Sequence, residues 1–256
     1  MSLPQVPDTL PPGFHVHPQV LKLIATPQYI QRTPEWYDVR KGLMTASNAA
    51  AAIGIKPYDS FRGDPKAACI DQIVSGSFKG NAATRHGCEH EDAVRDRYCE
   101  IAGETALEFG LIVHSNPDLH WLAASPDGIT LTGRMIEIKC PMHREITPGH
   151  VPHHYYPQLQ TQMEVCDLES CAFVQWKPAK FTKDGKEIFD IVVIPRDREW
   201  FARHKESLYA FYCDLMHART HYVPPPPPPC LIRDALYARY DDMDPTRCTP
   251  MFLDDE

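Results

Sequence analysis

The stretch Ser125 to Cys140, SPDGITLTGRMIEIKC, constrains the fold more than any other part of the chain. It reads as a strand-forming apolar run, yet it carries Asp127, Glu137 and Lys139. Charges on a half-buried strand are costly unless something pairs them. Pro126-Asp127-Gly128 is a turn signal at the mouth of a hairpin. Glu137 and Lys139, two residues apart on a strand, fall on one face, and Ile136 and Ile138 fall on the other. Asp127 and Glu137 therefore converge at one edge of a sheet. Two carboxylates beside a lysine make a hard-oxygen site for a divalent cation, with the lysine free to orient a water. The blander reading of the same pattern is a surface hairpin with a cross-strand salt bridge.

Two other segments can reach that edge. In GCEHEDA, Glu91 offers a third carboxylate from a helix, and in PQLQTQMEV, Gln158 and Gln162 share a helical face. Taken singly, each reads equally as a solvated helix face. HVPHHYY has His150, His153 and His154 at a spacing that would ligate a metal if helical, although solvated or partly buried histidines are the simpler expectation.

Capping signals organise the flanks. Thr33 and Pro34 open a helix, TASNAAAAI reads as a second, alanine-rich one, and DPKAACIDQIVSG continues in helix. Asn81 to Ala102 is a long helix closed by Gly103. Strand signals follow at ALEFGLIVH, HWLAAS, GITLT and RMIEIKC, an antiparallel meander or mixed sheet. YYPQLQTQMEVC is helical, CAFVQWKP and EIFDIVVIP are strands joined by KDGK, and DREWFARHKESLYAFYCDLMHAR is a long amphipathic helix. The expected organisation is an irregular, proline-rich arm over residues 1–30, a globular domain over 31–222, and a tail over 223–256. In that tail Pro224 to Pro229 form a polyproline II spacer ahead of a short helix and acidic residues.

The bulk numbers exclude several classes. With 43% hydrophobic and 23% charged residues the chain is neither disordered nor fibrous. No window is long and apolar enough for a membrane span, and the opening MSLPQVPDTLPPGF is not a secretory signal. Nine cysteines without a Cys-x-x-Cys pair suit free thiols in a reducing compartment, so an intracellular, cytoplasmic protein is expected. A net charge of −8 argues against indiscriminate coating of nucleic acid, but leaves room for a local basic groove and for carboxylates gathered around cations.

The ordered set RKGLMTAS, GCEHE, AASPDG, EIKCP and PQLQTQM resembles the lambda-exonuclease, YqaJ-like phage recombination nucleases, a branch of the PD-(D/E)XK superfamily. The resemblance runs from Trp36 to about Val165. It implies an α/β restriction-endonuclease-like core with a central mixed sheet flanked by helices. It also implies a magnesium-dependent 5′-to-3′ exonuclease on double-stranded DNA ends, with two Mg2+ ions per site, replaceable by Mn2+. Asp127, Glu137 and the carbonyl of Ile138 would hold metal, Glu91 would serve the second-metal side, Lys139 would position the attacking water, and Gln158 would stand beside the active centre. Arg40 and Ser47 would bind a DNA 5′-phosphate, a fork of guanidinium donors plus a hydroxyl being suited to it. A ring-shaped homotrimer, a single-strand annealing protein as partner, and work in a host cytoplasm complete the implication. The tail and the N-terminal arm have no counterpart in it. An endonuclease of the same fold, or a DNA-end-binding scaffold without catalysis, remain the alternatives.

Overall fold

A computed structural model of the protein describes residues 4–57, 61–76 and 81–223. The described residues up to His221 form one compact unit. The expected proline spacer, short helix and acidic tail from residue 224 onward lie outside the described residues.

The central sheet has five strands in the order β2 (Ala106–Leu107), β5 (Gly128–Thr130), β6 (Arg134–Lys139), β7 (Ser170–Lys177), β8 (Ile188–Pro195). β5 and β6 form an antiparallel hairpin, β6 and β7 run parallel, and β7 and β8 are antiparallel again. The sheet is therefore mixed. The parallel pair is possible because helix α6 (Tyr156–Cys166) lies in the crossover between its strands. Alternation then sorts the side chains. Ile136, Ile138, Ala172 and Val174 meet Val94 and Tyr98 of α5 (Ala82–Ala102) on one face. Met135, Cys171 and Phe173 share a core with Leu159 and Met163 of α6 on the other. Glu137 and Lys139 belong, by the same period of two, to the α6 face.

A second, three-stranded sheet joins β1 (Met44–Thr45), β4 (Leu122–Ala124) and β3 (Ile112–Val113), with β4 central. Around it lie α1 (Pro18–Ala25), α2 (Pro34–Lys41), α3 (Ala49–Ala52), α4 (Pro65–Ser75) and the last helix, α7 (Arg198–His221). The helix ends follow their capping residues: Thr33, Asp64 and Asn81 accept backbone N–H bonds at the starts of α2, α4 and α5, and Gly76 and Gly103 close α4 and α5 in the left-handed region. No helix of the described residues is long and apolar enough to cross a membrane.

Three local expectations are corrected. The first thirty residues are not wholly irregular: His17 caps α1, whose Val20 and Leu23 are buried in the core. TASNAAAAI is not one helix but the end of β1, a 3-10 turn at Ala46–Asn48 and the four-residue α3. ALEFGLIVH is not one strand either, since β2 and β3 belong to different sheets. The break has a physical cause at Gly110. Its N–H donates to Gln28 Oε1 at 2.9 Å, and Tyr29 bridges to Leu111. The Tyr29 carbonyl lies so close that a Cβ at position 110 would collide with it. Gly110→Ala is expected to cost about 2 kcal/mol, lowering the melting temperature by roughly 4–8 °C. Thermal unfolding followed by circular dichroism checks this, and an unchanged midpoint would refute the crowding argument.

Candidate active site

The β5–β6 ladder ends at Gly128 opposite Ile136, and beyond it the edge of β6 is met by a side chain instead of a strand. Asp127 Oδ2 accepts the Ile138 N–H at 2.7 Å. A residue's N–H and C=O project to the same side of a strand, so the Ile138 carbonyl faces this edge too. Gly128 keeps the turn tight: an added Cβ would lie 3.1 Å from Arg95 Cδ and 3.4 Å from Ile136 Cδ1. Arg95, from α5, donates to the Asp127 carbonyl at 3.1 Å and also engages Asp92 and Glu108.

Glu137 is 2% exposed and takes three charged or amide donors. Its Oε1 accepts from Lys139 Nζ at 2.5 Å and from Gln158 Nε2 at 2.6 Å, and its Oε2 accepts from Gln162 Nε2 at 2.8 Å. Both glutamines come from one face of α6, four residues apart. Glu91 comes from α5, packed on the opposite face of the sheet, and its Oε2 accepts from Arg32 Nη2 at 2.8 Å.

Burial, and then the charges of Glu137 and Glu91, push the Asp127 carboxyl well above the usual carboxylate range, against the pull of Lys139 and the Ile138 N–H. Burial also lifts Glu91, despite Arg32. Burial alone would lower Lys139, yet Glu137 and Asp127 hold its ammonium above the ordinary lysine value. Three carboxyls, Asp127, Glu137 and Glu91, thus share a buried site with Lys139 and Arg32.

The expected metal ligands are brought to one edge, but not as a closed cage. Among the described residues no three His, Cys, Asp or Glu side chains form a group able to hold an ion. Glu137 is turned toward its glutamines and lysine, and Glu91 toward Arg32. The donor chemistry nevertheless fits a hard divalent cation: two carboxylates, a strand-edge carbonyl, and an Asp127 carboxyl raised by burial and then by its acidic neighbours. His150, His153 and His154 lie outside any helix and form no metal group.

The expected phosphate-binding pair meets at Thr45. Ser47 Oγ and Thr45 Oγ1 are 3.0 Å apart, Arg40 Nη2 donates to Thr45 Oγ1 at 3.4 Å, and Asn48 Nδ2 does so at 3.4 Å. The Arg40 guanidinium lies 4.1 Å from the centroid of the Trp36 ring, a cation–π stack. Arg40 forms no ion pair with any described carboxylate, and burial pulls it down to about 10. A guanidinium held half-buried without a counter-charge is poised for an anion.

The two sites are linked. Trp36 Nε1 donates to Ser125 Oγ at 3.3 Å, two residues before Asp127, and Gln31 Nε2 donates to the Pro126 carbonyl at 3.3 Å. A cavity of about 670 Å3 has Ser47 and Asn48 on one wall and Tyr155 and Gln158 on the other. Thr45, Trp36 and Arg32 were not singled out from the sequence. The signals were there: Thr45 and Trp36 flank Arg40, and Arg32 precedes a helix cap, in a left-handed conformation (φ 66°) rare for a non-glycine residue.

A curated relative, an uncharacterized protein of Acanthamoeba polyphaga mimivirus, is 32% identical over 169 residues, 59% of this chain. The chain spans only 30% of that relative's length. Among solved structures, the alkaline exonuclease of Laribacter hongkongensis is 28% identical with a TM-score of 0.57, over 74% of this chain and 95% of that one. The same exonuclease in complex with dAMP gives 29% identity and the same TM-score and coverage. The mixed sheet flanked by helices is thus the PD-(D/E)XK-type fold of those exonucleases. Residues 35–169 match the model of the YqaJ-like viral recombinase domain, a span that contains Arg40, Ser47, Glu91, Asp127, Glu137, Lys139 and Gln158, and the chain belongs to that family.

Proposed function

We propose that the protein is a divalent-metal-dependent deoxyribonuclease that degrades one strand of linear double-stranded DNA from its 5′ end, in the service of phage-type recombination by strand annealing. The observation that carries this reading is the meeting of Asp127, Glu137 and Lys139 at one sheet edge, with Asp127 raised by burial and then by Glu137 and Glu91. The likeness to an alkaline exonuclease that binds dAMP supports it, since a deoxynucleoside monophosphate is what an exonuclease releases.

Asp127, Glu137 and the Ile138 carbonyl would hold Mg2+ or Mn2+, with Glu91 serving a second ion. Bound there, such ions would polarise the scissile phosphate and acidify a water. The chain's own residues do the rest. Gln158 and Gln162 fix the Glu137 carboxylate through both oxygens, and Lys139, kept charged, hydrogen-bonds the incoming water and offsets charge building on the phosphate. Arg40 and Ser47 receive the 5′-terminal phosphate and thereby set the distance from the strand end to the scissile bond. Assembly into a trimeric ring around duplex DNA, and transfer of the bared strand to an annealing protein, belong to the same proposal. Light scattering and co-purification test them.

The direct test is release of label from linear and closed circular DNA, with and without Mg2+. Cutting of closed circles would favour an endonuclease, and end binding without cleavage would favour a scaffold.

Metal binding can be read without activity. The native Asp127 pKa lies above its unfolded value, so the native state keeps its proton to higher pH than the unfolded chain. Stability is therefore lost as pH rises through that window. In EDTA at neutral pH, Asp127→Asn is expected to melt higher than wild type. Added Mg2+ should raise the melting point of wild type and not of the variant. A variant that responds to Mg2+ like wild type would remove Asp127 from the ligand set.

Lys139→Met is expected to lower the single-turnover cleavage rate at saturating DNA on the order of 100-fold or more, with binding changed little. Weaker binding at an unchanged rate would make Lys139 a phosphate contact only.

If Arg40 and Ser47 receive a terminal phosphate, linear duplex with 5′-phosphates should be degraded roughly tenfold to hundredfold faster than the same duplex with 5′-hydroxyls. Arg40→Ala should narrow that ratio. Equal initial rates for wild type on both substrates, or label leaving first from the 3′ end, would overturn the assignment.

A further inference from the structure

Helix α7 buries Leu208, Phe211 and Leu215, a stripe at spacings of three and four. The next position on that stripe is 219, where an apolar residue would continue the core, and the sequence places an arginine there. Arg219 forms no ion pair or side-chain hydrogen bond with any described residue, and its Nε is buried without a partner. Burial, with no carboxylate to offset it, pulls its guanidinium below the usual arginine value.

Arg219 lines a cavity of about 210 Å3 together with Arg40, Thr45 and Asn48. Leu215 and Ile73 form part of its apolar wall, and none of the described residues that line it is acidic. Lys41, also on the rim, has its charge taken by Asp38 at 2.6 Å. Two guanidiniums without counter-ions therefore face one small cavity from opposite ends of the chain, with hydroxyl and amide donors between them. Such an arrangement is unfavourable when empty of anions and is relieved by an oxyanion that both forks can bind.

We propose that this cavity is a phosphoryl-binding site and that Arg219, from the last helix, is its second guanidinium. Inorganic phosphate, a terminal phosphomonoester and a backbone phosphodiester share the required chemistry. The identification with a nucleic-acid phosphate rests on the function proposed above.

The test has two arms. In the first, melting temperatures of wild type, Arg219→Gln and Arg219→Lys are measured with and without inorganic phosphate, in EDTA, with chloride controls of equal ionic strength. Phosphate is expected to stabilise wild type and Arg219→Lys and to leave Arg219→Gln unmoved. No phosphate response in wild type, or an undiminished one in Arg219→Gln, overturns the proposal. In the second arm, the same proteins bind duplex DNA with 5′-phosphate or 5′-hydroxyl ends in EDTA. Arg219→Gln should weaken binding roughly tenfold and lower the slope of log affinity against log salt by about one. A loss confined to the 5′-phosphate duplex assigns the cavity to the terminal monoester, and an equal loss on both assigns it to a backbone diester. Affinity and salt slope equal to wild type on both duplexes refute the nucleic-acid assignment. A wild type that binds phosphate but no DNA would overturn the nuclease reading and leave the anion site standing.

Discussion

Glu137 is the constraint on which the rest of the structure depends. A carboxylate at 2% exposure is tolerable only when its lone pairs are met, and three donors from two elements meet them. Lys139 is supplied by the strand itself, while Gln158 and Gln162 require α6 to dock on this face and in one rotational setting. That docking fixes the crossover between β6 and β7, hence their parallel pairing and the order of the sheet. It also brings Tyr155, just before α6, to within 5.2 Å of Lys139 Nζ, so that the aromatic face lies over the same ammonium. The fold's centre and the proposed chemistry share one side chain.

What the sequence made legible is what period and spacing control. The face shared by Glu137 and Lys139, the amide pair on α6 and the long helix carrying Glu91 follow from repeats of two and of about four. The cap at Thr33 and the start of the long helix at Asn81 were legible for the same local reason. What escaped was long-range. That ALEFGLIVH divides between two sheets depends on Tyr29, some eighty residues away, pressing on Gly110. That Glu91 is held by Arg32, or that Trp36 touches Ser125, depends on separations of 59 and 89 residues that no window spans. Arg219 was hidden differently: on a long amphipathic helix rich in charged residues, one more arginine attracts no notice until its face is known.

The charge arrangement bears on how an acidic chain could receive the polyanion proposed as its substrate. Carboxyls are gathered at the β6 edge, around Asp127 and Glu137, and the guanidiniums of Arg40 and Arg219 line one cavity beside Thr45. Among the described residues, more than half of the other lysines and arginines are ion-paired to the protein's own acids. Arg196, for example, is shared by Glu164, Asp167 and Glu169. Net charge therefore reports little about recognition. The number of guanidiniums left uncompensated, and where they stand, reports more.

The N-terminal segment is held by partners that come much later in the chain. Gln31 bonds to Phe109 and Pro126, and Gln28 to Gly110, across 78, 95 and 82 residues, and the His17 N–H reaches the Leu131 carbonyl. During synthesis at roughly 5–20 residues per second, the segment waits on the order of 4–20 s for those partners to be made. In that interval it must neither fold nor stick. Pro4, Pro7, Pro11, Pro12 and Pro18 suit the task, since a proline-punctuated segment pairs poorly as a strand with other chains. The composition of the first residues thus answers to the clock of translation as much as to the finished fold.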